Sequence, residues 1–284
     1  MKSKKSAPKK SVGRIKGVCV DRPVSFLDIS RKMYHSIAHN ASNSPAKSGS
    51  AQSTLVRRFM ENPHQSFTPN ETLDLARLAL LTDNKWQKGT TLTITFMDGS
   101  STQKTKVKKF AKYWVSKAKA NIKLKFLGSG SSMIRISFVA DPGSWSYIGT
   151  DCLHIPANRP TMNFGWLRDD TEDAEYERVV VHEFGHALGC IHEHQNPAGG
   201  IHWNKPVVYA YYQGPPNNWT KAEVDSNIFQ TYSKTKTQFT QLDPNSIMMY
   251  PIPKQFTTDG FSVGLNLHLS STDISFIDKQ YPKP

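Results

Sequence analysis

Apolar and polar residues alternate most regularly in the middle of the chain. Residues 90–96 (TTLTITF), 121–127 (NIKLKFL) and 133–139 (MIRISFV) each place apolar side chains at every second position, the period of a strand. A shorter run, 161–166 (TMNFGW), predicts a fourth strand. Between the first two strands the period changes: over 102–120, Val107, Phe110, Ala111, Trp114, Val115 and Ala118 fall on one side of a helix and lysines on the other. A strand, a helix of this length and another strand predict a crossover, so the sheet should be mixed, with helices packed against it. Residues 169–188 open with acids and continue at helical spacing, which predicts a helix capped by Asp170 or Thr171. A short helix is expected over 26–38 and another over 70–82, where Leu73, Leu75, Leu78 and Leu81 fall at helical spacing. The polar stretch 40–53 (NASNSPAKSGSAQS) predicts a linker or exposed loop, open to proteolysis.

Composition narrows the class. With 284 residues, 37% of them hydrophobic and 11% aromatic, the chain is that of a folded protein rather than a disordered one. A mean hydropathy of −0.52 and the lack of a long apolar run exclude a membrane-spanning helix. The net charge is +13, but seven lysines and arginines and no acid lie in residues 1–16, a basic tail expected to be disordered. The mild excess that remains does not define a nucleic-acid binder, so nucleic acid is not an expected partner beyond that tail. The basic start is not followed by an apolar stretch, so no cleavable signal peptide is expected; cytoplasmic residence or an unconventional export route remain. Three cysteines, Cys19, Cys152 and Cys190, are too few for a disulfide framework or a cysteine-based zinc site. Cys152 and Cys190 are expected to be buried thiols, although their pairing stays open.

The chemistry is concentrated on the helix predicted over 169–188. His182 and His186 are four apart, so both imidazoles lie on one face about a turn from each other, the geometry that lets two nitrogens reach one zinc. Glu183, beside the first histidine, can take a proton from a metal-activated water. Gly189 can adopt a left-handed conformation, end the helix and turn the chain sharply, which brings His192 back toward the same metal. Three neutral nitrogen ligands with a fourth position for water are the mark of a catalytic rather than a structural zinc. His194 lies beside the set and, like Glu193, is expected to support the ligands rather than to ligate. His154, His202 and His268 have no ligand spacing. Tyr209, Tyr211, Tyr212 and Trp219 are expected to pack an irregular region.

The segment VHEFGHALGCIHEHQNP, residues 181–197, resembles the zinc-binding segment of the metzincin metallopeptidases. Glu193, directly after the third histidine, resembles the astacin family. Met248 in Ser246-Ile247-Met248-Met249-Tyr250 resembles the Met-turn beneath the metal, and Tyr250 matches the astacin tyrosine that is a further zinc ligand in the resting enzyme. The resemblance covers roughly residues 85–284 and implies an α+β, two-lobed fold. Its upper lobe would hold a twisted mixed sheet and the active-site helix, and its irregular lower lobe would end in a C-terminal helix, which 269–281 fits. It departs from animal astacins in lacking their two disulfides and in having Gln195, Asn196 and Pro197 after the motif. That calls into question the family's role for Glu193, binding the mature N-terminus, and removes any basis for assigning the family's substrate preference; the chain looks more like a leaderless microbial branch.

These readings predict three regions: the tail 1–16, an N-terminal segment 17–84 that is a candidate latency region with Cys19 as a thiolate ligand, and a catalytic domain 85–284. The expected activity is that of a zinc endopeptidase, one zinc per chain and a monomer, with protein or peptide substrates. Glu183 would be the general base, Tyr250 would stabilise the oxyanion, and the substrate would lie along an edge strand near 161–166. Two alternatives keep the zinc: an amidase acting on a non-peptide amide, and a basic binding module in which the metal is structural.

Overall fold

The computed structural model describes Cys19 and residues 84–140, 143–215, 217–231 and 241–284. The tail, the helices expected over 26–38 and 70–82 and the loop over 40–53 lie outside the described residues. The fold is α+β, with a five-stranded mixed sheet and six helices among the described residues. No described helix is long and apolar enough to cross a membrane. The described residues form two compact units: Cys19, 84–191 and 274–284 in one, and 192–273 in the other.

The first unit is built on the sheet. Strand β1 (Thr91–Phe96) is followed by helices α1 (Ser101–Ala111) and α2 (Tyr113–Ser116), then by β2 (Lys123–Phe126), β3 (Ile134–Ser137), β4 (Trp145–Ser146) and β5 (Met162–Asn163). In space the order is β2-β1-β3-β5-β4, parallel throughout except for β4 on β5. The expected crossover is therefore present, as β1-α1-α2-β2. Leu92, Ile94, Ile134 and Ile136 are at most 1% exposed and form the inner layer of the sheet. Lys108 of α1 stands 5.8 Å from the Phe96 ring and 5.9 Å from the Phe126 ring, which identifies this as the helix-covered face.

Three expectations change. The helix expected over 102–120 stops at Ala111, resumes for one turn and ends before Lys119, whose left-handed φ of 56° no helix interior accommodates. Its start is fixed by a reciprocal cap between Ser100 and Gln103. Its second piece is held by a tertiary contact that periodicity does not report, the Trp114 indole donating to the Val181 carbonyl at 2.7 Å. The strand near 161–166 is not an edge. β5 lies between β3 and β4, so both its sides are taken, and the edge at that end of the sheet is β4.

Helix α3 (Asp173–Ala187) packs against α1, with Lys106 and Lys109 both reaching Asp173. Its N-cap is Glu172 rather than Asp170 or Thr171. The Thr171 hydroxyl is already engaged in the preceding turn, accepting from the Arg168 amide at 2.8 Å. The second unit contains α4 (Lys205–Tyr212), α5 (Lys221–Val224) and a single π-helical turn over Asp225–Phe229. Its aromatics pack on one another as expected, with Tyr212 stacked on Trp219 at 4.8 Å and Tyr211 edge-on to Phe256 at 5.2 Å. Helix α6 (Ser271–Gln280) passes out of this unit at Asp273.

The approach of the chain at β4 and β5 leaves no room for a side chain at Gly165. A Cβ there would lie 2.5–2.6 Å from backbone atoms of Gly143, which cannot rotate away. Gly165→Ala is therefore expected to cost about 1–3 kcal/mol through overpacking, read as a lower urea midpoint of the full-length chain; an unchanged midpoint would show that the two segments can part freely.

Candidate active site

Helix α3 carries the motif because it is buried almost throughout its second half. Every residue from Arg178 to Ala187 is buried, so the helix end cannot turn to water for its last carbonyls. Gly189 resolves this with a φ of 98°. Its amide donates to the His186 carbonyl at 2.8 Å and the Cys190 amide to the Gly185 carbonyl at 2.9 Å, the paired bonds of a Schellman stop. The Ala187 carbonyl accepts from the Trp86 indole and the Leu188 carbonyl from the Tyr281 hydroxyl, each at 2.7 Å.

His182 and His186 project from one face, their rings 4.9 Å apart at 84°. His186 is oriented through Nδ1, 2.9 Å from the Cys190 carbonyl, which leaves Nε2 for a ligand. Ligand-capable atoms of Cys19, His182, His186 and His192 all lie within 4.8 Å of one another, and all four residues are buried. A tetrahedral zinc bonded to nitrogen and sulfur would hold its donors roughly 3.3–3.5 Å apart, so small rotations bring this set to it. Three imidazoles and a thiol suit zinc in type as well as in spacing. Burial, and then the neighbouring His194, push the His192 imidazole well below its usual range, toward the neutral form that ligates a metal. Glu183, 1% exposed, accepts from the Cys19 thiol at 3.3 Å.

His194 stays out of the ligand group. Its Nε2 is 2.8 Å from the Asn227 carbonyl, and its ring packs 4.3 Å from that of Tyr250. The Tyr250 ring is also 4.4 Å from the His192 ring. Exposed His202 pairs with Asp259. Cys152 and Cys190 are buried and in no disulfide, and burial pushes the Cys152 thiol up to about 12, which makes it inert.

Sequence reasoning missed the residues that hold the segment 246–250. The Glu193 amide donates to the Met248 carbonyl at 3.0 Å. The Glu193 carboxylate accepts from the Asn196 side chain and from the Asp243 amide, each at 2.9 Å. Asp273, at the third position of α6, accepts from the Ser246 hydroxyl (2.6 Å), the Ile247 amide (2.8 Å) and the Ser270 amide (2.9 Å), while the Ser270 hydroxyl caps the Asp273 amide. Burial raises both carboxyls, Glu193 to about 7. The only signal in the sequence was Ser270 three residues before Asp273, which marks a helix start and says nothing of Ser246.

This arrangement defines a class: a buried His-Glu-x-x-His helix with a third histidine after a glycine turn is that of a zinc metallopeptidase. The chain is similar to solved structures. Two structures of myroilysin are each 50% identical to this chain; the first covers 71% of it and 97% of myroilysin at a TM-score of 0.69, the second 70% and 86% at 0.55. High choriolytic enzyme 1, a hatching-enzyme zinc protease from Oryzias latipes, is 18% identical over 70% of this chain and 95% of its own, with a TM-score of 0.49. No family model and no curated protein matches the sequence. The chain belongs to the astacin-like metzincin zinc metallopeptidases, the family of its relative myroilysin.

Asp273 accepts three hydrogen bonds, two of them from the turn around Ser246 and one from the Ser270 amide. Asp273→Ala leaves two buried donors beside that turn without their carboxylate, and is expected to destabilise the chain by about 2–4 kcal/mol. Urea unfolding checks this; an unshifted midpoint would show that the carboxylate is dispensable.

Proposed function

We propose that this chain is an endopeptidase in which His182, His186 and His192 hold one catalytic zinc, Glu183 is the general base and Tyr250 is the oxyanion donor. The observation that carries the reading is the position of the Glu183 carboxylate. It is buried, and its Oε2 lies 3.3 Å from Cys19 Sγ, itself one of the four grouped ligand-capable atoms. Bound zinc would supply Lewis acidity, polarising the scissile carbonyl and acidifying water. Glu183 takes the proton of the attacking water and returns it to the leaving amine, a role that needs a carboxylate within hydrogen-bond reach of that water. The Tyr250 hydroxyl donates to the oxyanion of the tetrahedral species, an interaction made in the transition state. Met248 forms the floor of the turn, and Glu193 positions it through the backbone bond described above. His194, stacked on His192 at 5.4 Å, supports the Tyr250 ring beside it.

The same position favours a second element of the reading, latency. A thiol 3.3 Å from the base fills the space in which the attacking water has to stand, and the same sulfur is grouped with the three imidazoles. A zinc with four protein ligands has no open position. Cys19 therefore restrains the full-length chain, and residues 17–84 are its latency segment.

Three outcomes follow from these roles. Glu183→Ala should retain one zinc per chain, measured by metal analysis, and lose roughly 10² to 10⁴ in turnover; near wild-type proteolysis would remove it from the mechanism. Tyr250→Phe, compared at equal zinc occupancy, should lose roughly ten- to a thousandfold in kcat with little change in KM. An unchanged kcat there would leave Tyr250 a resting ligand only. Cys19→Ser should raise the specific activity of the full-length chain about tenfold or more, since a restraint of only ~1.4 kcal/mol already closes nine sites in ten. Equal activities of the two chains would end the latency reading.

A further inference from the structure

The positive charge of the protein is concentrated in one stretch of the fold. Between Lys85 and Ala140 lie eleven lysines and Arg135 against one carboxylate, Asp98. Part of this charge is neutralised locally: Lys106 and Lys109 pair with Asp173, and Lys117 with Glu177. Lys123 and Lys125, exposed on β2, are in no ion pair among the described residues, and exposed Lys88, Lys112 and Lys119 precede the strand.

β2 is also an open edge. It pairs with β1 on one side, and no described strand lies beyond it on the other. In the parallel ladder the Lys123 amide donates to the Thr90 carbonyl at 2.9 Å and the Leu127 amide to the Ile94 carbonyl at 2.8 Å. The alternate residues, Leu124 and Phe126, therefore direct their backbone N–H and C=O groups off the sheet. Lys123 and Lys125 share the face away from α1, since Phe126 lies under Lys108 on the helix side. Their charges are about 6.6 Å apart along the strand, the spacing of alternate residues in a strand laid beside them.

We propose that the open edge of β2 docks an extended, acidic segment of a polypeptide substrate as an added strand. The inference rests on the peptidase reading only in calling that polypeptide a substrate. Backbone bonds to Leu124 and Phe126 would supply the pairing, and carboxylates at alternate positions would stand opposite Lys123 and Lys125. The same lysines oppose a second copy of this chain, because lysine would then face lysine. A nucleic acid or an acidic polysaccharide has no use for a strand edge. The exposed cations here are all lysines, point charges without the fork that grips phosphate, and Arg135 is buried and donates to the carbonyls of Ser132, Ile155 and Arg159.

The test uses the full-length chain carrying Glu183→Ala, so that a probe is not hydrolysed, and a fluorescent alternating Glu-Thr peptide of about ten residues. Fluorescence anisotropy should show binding that weakens with salt, falls about tenfold or more with Lys123→Glu plus Lys125→Glu, and falls similarly when the probe is N-methylated at alternate residues. The double substitution placed in the Cys19→Ser chain should leave cleavage of a short uncharged peptide unchanged from Cys19→Ser alone, which also reports that the variant is folded. Binding that ignores the charge reversal overturns the proposal. So does binding that survives N-methylation, or equal Lys123- and Lys125-dependent affinity for heparin or poly-dT, because charge alone would then suffice. Binding by a chain without peptidase activity would retain the docking edge and remove only the word substrate.

Discussion

A buried helix end has to find partners for its last carbonyls, and the way α3 meets that requirement shapes the histidine group. Two carbonyls are satisfied by the chain itself, through the left-handed turn at Gly189. The other two recruit Trp86 and Tyr281, respectively 101 and 93 residues away in sequence. The turn that closes the hydrogen bonds is the same turn that sends His192 back beside His182 and His186. Helix termination and the placement of His192 are thus one event. A Cβ at Gly189 would meet no closer atom than 3.6 Å, so its cost there is conformational rather than steric.

The unit from His192 to Asp273 faces a different problem, a short irregular segment that must be held still without a sheet or long helix around it. Here carboxylates do the holding. Glu193 and Asp273 are buried at a cost, offset because each accepts from backbone amides and polar side chains already committed to the fold. The Ser270 hydroxyl joins the two halves of the network by donating to Asp243, whose amide is bound by Glu193. Glu193 therefore has structural work inside its own loop. The departure of residues 195–197 from the animal pattern had already called into question a chain terminus as its partner.

What was legible in the sequence was what is local. The helix of residues 173–187, its glycine stop and the three histidines lie within twenty residues of one another, and alternation located β1, β2, β3 and β5 to within a few positions. Contacts between distant segments were not legible. β4 is two residues long, too short to alternate, yet it takes the edge expected near 161–166. Asp273 lies 26 residues from Ile247 and Asp243 lies 50 from Glu193, and neither pairing has a period or a spacing that a linear reading can detect. The N-cap of α3 was misplaced for a related reason: Thr171 has the right chemistry for a cap, but its hydroxyl is spent on the Arg168 amide.

The proposed latency of the full-length chain is a matter of volume as much as of ligation. A general base acts on a water held within about 2.6–3.2 Å of its oxygen. With Cys19 Sγ 3.3 Å from Glu183 Oε2, a sulfur atom stands where that water would be. On this reading the thiol acts in two ways, by taking a ligand position and by standing against the base, and Cys19→Ser removes the first because a hydroxyl is a far weaker zinc ligand than a thiolate. On the proposed reading, removing Cys19 from the site would free a ligand position and the space beside the base at once.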